Sequence, residues 1–245
     1  MRRILFPLLL AAAAIGWVVF TELQNEGFVS APAEPVAPNW ASITAWPGAS
    51  SGLVQATPDP NRRITVIVLD DSGSMASDMT AAKGAVLGTL DAMADTDRVA
   101  VVALNAGIVL PFADVAEARQ TLPAALRPIQ DTGTTPLTGA MRQARLLLEA
   151  EASQSRSFGT YRMIVTTDGA ADDPQSLTAE VTNLAAATPI QLTTIGIDIG
   201  GRHVLRRSDL GSFVDVSNVD ALQGALQAAV AENTDFTAIT DFSED

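Results

Sequence analysis

The chain has 245 residues, with 15 Lys and Arg against 28 Asp and Glu, one His and no Cys, for a formal net charge of −13. Its length suits one ample domain or two small ones, and 47% hydrophobic residues exclude wholesale disorder. The lack of Cys excludes disulfides, thiolate metal sites and cysteine nucleophiles, the single His203 excludes sites built from several imidazoles, and the acidic balance excludes a nucleic-acid binder, which needs clustered basic surface.

Any metal site must therefore be built from oxygen ligands, which suit hard cations such as Mg²⁺, Ca²⁺ or Mn²⁺. Lys83 is the only lysine, and every other cation is Arg.

Met1-Arg2-Arg3 precedes Ile4–Phe20, a run without charge. A helix over that run is about 25 Å long, close to a hydrocarbon core of about 30 Å. The Arg flank places its N-terminus in the cytoplasm. Residues 1–26 read as a signal anchor crossing the cytoplasmic membrane once, with the rest of the chain in the periplasm or outside the cell. A cleaved signal peptide is the competing reading and gives a periplasmic or secreted protein. Length favours the anchor. The small-x-small site Ala31-Pro32-Ala33 stands far past Phe20 and carries Pro.

Residues 27–60 hold Pro32, Pro35, Pro38, Pro47, Pro58 and Pro60 and read as an extended linker. Trp40 and Trp46 are its exceptions, placed either on the folded domain or at a membrane surface.

Residues 61–232 alternate strand and helix patterns. Arg63–Leu69 is apolar on both faces, as in a central parallel strand. Met79–Ala94 has helical spacing, Arg98–Leu104 is a second strand, and Ile108–Phe112 returns as a hairpin after Asn105-Ala106-Gly107. Asp114 is expected to cap a helix to Leu126. A helix over Thr138–Ala152, a strand at Tyr161–Thr167 and a helix over Gln175–Ala187 follow, with Pro174 in the first turn of that helix. A strand at Ile190–Ile197, a short strand at Phe213–Val216 and a helix over Val219–Ala231 complete the domain, before an acidic tail at 233–245. This alternation predicts an α/β fold: a doubly wound, mostly parallel open sheet with helices on both faces. Ligands of such sheets bind beyond the carboxyl ends of the strands.

Three loops stand at those ends. Asp70-Asp71-Ser72-Gly73-Ser74 follows the first strand, and alternate positions of an extended loop bring Asp70, Ser72 and Ser74 to one side. Thr167-Asp168-Gly169 follows the third buried strand. Gly133-Thr134-Thr135-Pro136-Leu137 leads into a helix and offers Thr135, or Thr134, as a hydroxyl. Two carboxylates and three hydroxyls would hold Mg²⁺ loosely, leaving a position for water or a carboxylate from another molecule. Each part alone also reads as a turn or helix cap. His203, in a glycine-rich loop, and Arg206-Arg207, on a solvated face, are given no role.

This set of motifs resembles the von Willebrand factor A domain family and its metal-ion-dependent adhesion site, over about residues 61–232. The resemblance implies a Rossmann-like fold of a bacterial membrane-anchored type. It also implies a metal site of Asp70, Ser72, Ser74, Thr135 and Asp168. In it Ser72 and Ser74 are direct ligands, Asp70 and Asp168 act largely through water or hydrogen bonds, and Thr135 joins when a ligand binds. The cofactor implied is Mg²⁺, with Mn²⁺ or Ca²⁺ as alternatives. The function implied is non-enzymatic binding of a protein partner that presents an Asp or Glu carboxylate. Asp71, Asp172 and Asp173 add charge nearby, either favouring Ca²⁺ or Mn²⁺ or only lining the rim.

Two alternatives stand beside this reading. One is a structural subunit of an envelope assembly in which the metal only staples loops. The other is a Mg²⁺-dependent phosphatase of haloacid-dehalogenase type, weakened because position 72 is Ser where that chemistry needs a second Asp as general acid.

Overall fold

The computed structural model describes residues 34–48, 61–155, 159–199 and 203–231. The apolar run Ile4–Phe20 and the acidic tail lie outside these residues. Among the described residues no helix is long and apolar enough to cross a membrane.

Six strands form one sheet: β1 (Arg63–Leu69), β2 (Arg98–Ala103), β3 (Gly107–Asp114), β4 (Thr160–Thr167), β5 (Gln191–Ile197) and β6 (Ser212–Val216). Their spatial order is β3-β2-β1-β4-β5-β6, with only β3 antiparallel to its neighbour. Among the described residues six helices accompany them: α1 (Trp40–Ala45), α2 (Met79–Thr89), α3 (Val115–Leu126), α4 (Leu137–Ser155), α5 (Pro174–Ala187) and α6 (Leu222–Ala231).

The two-faced apolar pattern of β1 has a direct consequence. Its side chains alternate between two cores. Ile67 and Leu69 join a core with Met79 and Val86 of α2, Leu122 of α3 and Leu226 of α6. Ile64, Val66 and Val68 join a second core with Met141 and Leu148 of α4 and Leu177 and Leu184 of α5. A sheet covered on both faces favours apolar residues on both sides of a central strand, which is why RITVIVL, with Thr65 as its one buried polar residue, does not alternate with polar residues. Truncating a fully buried member such as Leu122 or Met141 to Ala is worth about 2–5 kcal/mol.

Three local expectations are corrected. The helix from Met79 does not run unbroken to Ala94. It stops at Thr89 and continues as a single tight turn, Leu90–Ala92. Its last carbonyls are taken by side chains: Gln227 Nε2 donates to Gly88 at 2.8 Å, and Arg119 donates to Leu90 at 2.8 Å and Met93 at 3.0 Å. Asp114 precedes α3 but makes no side-chain cap bond, because Arg98 holds its carboxylate at 3.3 Å. The final helix opens with a tight turn at Val219–Ala221, capped by the Asn218 side chain, before α6 begins.

The stretch expected to be an extended linker is folded over residues 36–48. Val36 N–H donates to Asp209 Oδ2 at 3.1 Å, and Asn39 N–H donates to the Ala186 carbonyl at 2.7 Å. Trp46 is buried, with its ring edge-on to Tyr161 at 4.8 Å. Tyr161 in turn shares a 2.7 Å hydrogen bond with Ser155. Trp40 stays exposed. Asp209, Ala186 and Tyr161 all stand at the amino-terminal edge of the parallel strands. The segment is therefore a strap across that edge.

Candidate metal centre

The strand order reverses between β1 and β4: β1 leads outward to β2 and β3, and β4 outward to β5 and β6. The crevice beyond the carboxyl ends at such a point is where open α/β sheets bind ligands. The Asp70 loop leaves β1 and the Asp168 turn leaves β4 at this point.

Asp70 is fully buried and sits at the base. Its Oδ1 accepts from Ser72 N–H at 2.9 Å and its Oδ2 from Asp168 N–H at 3.3 Å. One carboxylate thus curls its own loop and grips the turn from the neighbouring strand. Ser72 Oγ lies 3.0 Å from Ser74 Oγ, and Ser74 Oγ donates to Asp168 Oδ1 at 2.8 Å. Asp70, Ser72, Ser74 and Asp168 therefore form one continuous group. Burial pushes the Asp168 carboxyl above its ordinary range, the Asp70 and Asp78 charges add to this, and the Ser74 hydrogen bond opposes it.

Thr135 is not hydrogen-bonded to these four. Its Oγ1 lies 3.9 Å from where a Cβ on Gly169 would stand, so it borders the Asp168–Gly169 turn. Thr134 gives its hydroxyl to Asp172, which leaves Thr135 as the hydroxyl at that turn.

The three extra carboxylates are occupied with structure. Asp71 is buried and accepts from Asn105 N–H at 2.7 Å, Asn105 Nδ2 at 3.2 Å and Ala106 N–H at 3.0 Å. Asp173 caps α5 through Gln175 N–H at 3.1 Å and Ser176 N–H at 3.0 Å, and the Ser176 hydroxyl, donating at 2.6 Å, together with these amides holds its carboxyl below its ordinary range. Asp172 accepts from Thr135 N–H at 3.0 Å as well as from Thr134. The linking roles of Asn105 and Asp172 have no signature in the sequence beyond their places in turns. They become visible only when three distant loops meet.

The donor set fits a small hard cation. All donors are oxygens, and the described ion pairs go to other carboxylates, none to Asp70 or Asp168. Around Mg²⁺, with bonds of about 2.0–2.1 Å at right angles, neighbouring ligand oxygens stand about 3 Å apart. The Ser72–Ser74 and Ser74–Asp168 separations, 3.0 and 2.8 Å, are hydrogen-bond lengths compatible with that edge. Among the described residues there is no cluster of three or more His, Asp or Glu side chains able to hold a metal, so the hydroxyls carry half of the grouping.

The model for the von Willebrand factor type A domain matches residues 65–245. No curated protein matches the sequence. Among solved structures, the chain is similar to a von Willebrand factor type A protein from Catenulispora acidiphila, at 23% identity and a TM-score of 0.60, covering 70% of this chain and 42% of that one. It is also similar to manganese-loaded Plasmodium vivax TRAP protein, at 16% identity and a TM-score of 0.51, covering 70% of this chain and 76% of that one. A third likeness is to the vWF domain of the type V pili tip protein Mfa5 from Porphyromonas gingivalis, at 13% identity and a TM-score of 0.56, covering 70% of this chain and 95% of that one. At these identities the likenesses establish the fold. With the family match, they show that the chain belongs to the von Willebrand factor type A domain family.

Proposed function

We propose that this protein is a metal-dependent protein-binding module, without enzymatic activity, displayed outside the cytoplasmic membrane from an N-terminal anchor or released there if the N-terminus is cleaved. The observation that carries the reading is the continuous oxygen group of Asp70, Ser72, Ser74 and Asp168 at the point where the strand order reverses. Ser72, Ser74 and Thr135 would hold the ion through their hydroxyls. Asp70 and Asp168 would supply negative charge through their hydrogen bonds and through water. The ion, Mg²⁺ with Mn²⁺ or Ca²⁺ as alternatives, would offer a coordination position to a partner's Asp or Glu carboxylate. The manganese-loaded state of the TRAP protein and the pilus-tip setting of Mfa5 are in keeping with this reading.

A phosphatase reading is disfavoured by Asp70 itself. A carboxylate nucleophile must be free to attack, whereas this one is fully buried with both oxygens taken by backbone N–H groups.

The strap crosses the edge opposite the metal loops. All of the net charge of −13 falls outside residues 1–30, where Arg2 and Arg3 balance Glu22 and Glu26. The preferred partner is therefore basic overall and presents one carboxylate. The test is capture of partners by the full chain in Mg²⁺, eluted with EDTA and identified by mass spectrometry, with Asp70→Ala as the control. A partner held equally in EDTA and by Asp70→Ala would contradict the mechanism.

A further inference from the structure

We infer that Asn105 and Asp172 are positioning residues that clamp the Thr134–Thr135 turn from its two sides and hold the Thr135 hydroxyl at the Asp168–Gly169 turn. The inference rests on the metal-binding reading above and adds how the third loop of that site is set.

Every residue from Thr132 to Thr135 is tied to another loop. Thr132 N–H donates to the Asp71 carbonyl at 2.9 Å, and the Gly133 carbonyl accepts from Gly73 N–H at 3.2 Å. The Thr134 carbonyl accepts from Asn105 Nδ2 at 3.0 Å, and the Thr134 hydroxyl goes to Asp172 Oδ2. Thr135 N–H donates to Asp172 Oδ1 at 3.0 Å, and the Thr135 carbonyl accepts from Asp172 N–H at 3.1 Å. Asp172 thus meets the turn with both carboxylate oxygens and its own amide.

Asn105 is held as firmly on the other side. Its backbone and side-chain amides both donate to Asp71 Oδ1, at 2.7 and 3.2 Å. Its remaining side-chain oxygen lies against Gly133, where an added Cβ would stand 2.4 Å away. The three loops that carry the site are therefore joined by two side chains that need not touch the ion. A turn fixed in this way does not have to be ordered when the ion arrives, and such preorganisation raises affinity without adding a contact.

The test uses the full chain, with Asp172→Ala, Asn105→Ala and Thr134→Val as disrupting variants and Thr134→Ser as the conservative one. Two readouts are taken: hydrogen exchange at the Thr135 amide in chelator, and Mn²⁺ affinity by electron paramagnetic resonance. Asp172→Ala is expected to speed exchange at Thr135 and weaken Mn²⁺ binding by about fivefold to tenfold, as suits the loss of one or two hydrogen bonds. Asn105→Ala and Thr134→Val should move both readouts the same way. Thr134→Ser should leave both within about twofold of the parent. Should Asp172→Ala not fold, Thr134→Val carries the same comparison. Unchanged Thr135 exchange in the disrupting variants overturns the clamp. Faster exchange with unchanged Mn²⁺ affinity overturns its positioning role. Failure of the parent chain to bind Mn²⁺ contradicts the metal reading instead, and the exchange data then still decide the clamp.

Discussion

Ser74 donates its hydroxyl to Asp168 at 2.8 Å across 94 positions of sequence. Asp70 meets the backbone of the same Asp168 at 3.3 Å. The loops after β1 and β4 are thus joined twice, once through a buried carboxylate and once through a hydroxyl nearer the surface. This doubling brings two carboxylates together with no ion-pair partner among the described residues, an arrangement that suits a bound ion better than it suits the metal-free fold.

That cost is measurable at Asp168. Its carboxyl is raised above the ordinary Asp value of 3.8 by burial first and by the Asp70 and Asp78 charges next, against the Ser74 hydrogen bond. A raised acid holds its proton more tightly in the folded chain than in the unfolded one. The penalty on folding is therefore absent below about pH 3.9, grows as pH rises through the raised value, and is fully present above it. Asp168→Asn should melt at a higher temperature than the parent at pH 7 in chelator, and the gap should close in acid. Thermal melts from pH 4 to 7 check this. A variant less stable than the parent at pH 7 would show that the two carboxylates do not strain the metal-free site.

Magnesium should reverse the penalty. Ligand that binds only the folded chain raises stability by about 2.7 kcal/mol at a hundred times its Kd. The melting temperature should climb with Mg²⁺ concentration and fall back in EDTA. Asp70→Asn keeps the shape of the buried side chain but removes its charge, and its melting temperature should not respond to Mg²⁺.

Gly133 has a φ of +83°, and a methyl there would stand 2.4 Å from Asn105 Oδ1. Gly133→Ala combines backbone strain with displacement of Asn105, for a loss of about 1–3 kcal/mol. Chemical denaturation measures that loss. Because Asn105 holds Thr134, Mg²⁺ affinity should fall in the same variant.

The strap makes a separate prediction. Trp46 is buried against Tyr161, so Trp46→Ala should cost about 3 kcal/mol in denaturation. The strap lies at the edge opposite the metal loops, so the Mg²⁺ affinity of the folded variant should match the parent. A shift in affinity would mean that the strap and the metal edge are coupled.

The α/β architecture was legible because its signals are local and repeated: RITVIVL and YRMIVTT are apolar on both faces, and the intervening helices carry apolar stripes. The strand-end motifs were legible for the same reason, each occupying five residues or fewer. What could not be read were the contacts made between distant segments. Trp46 sits among prolines that signal a spacer, and only the pocket beside Tyr161 turns that stretch into a strap. Asp114 has the sequence of a helix cap, yet Arg98 and Glu151 form an ion-pair group that claims it. Asp71, Asp172 and Asp173 look alike as extra carboxylates beside a metal, but each has its own hydrogen-bond partners on a different element.

The most direct test of the account is a Mn²⁺ titration of the full chain by electron paramagnetic resonance, repeated with Ser72→Ala/Ser74→Ala. Those substitutions remove two hydroxyls and leave both carboxylates of Asp70 and Asp168 in place. The account predicts one Mn²⁺ site, displaced by Mg²⁺ in the parent and lost or weakened at least about tenfold in the double variant. Binding of equal strength in the double variant, or none in the parent, would contradict it.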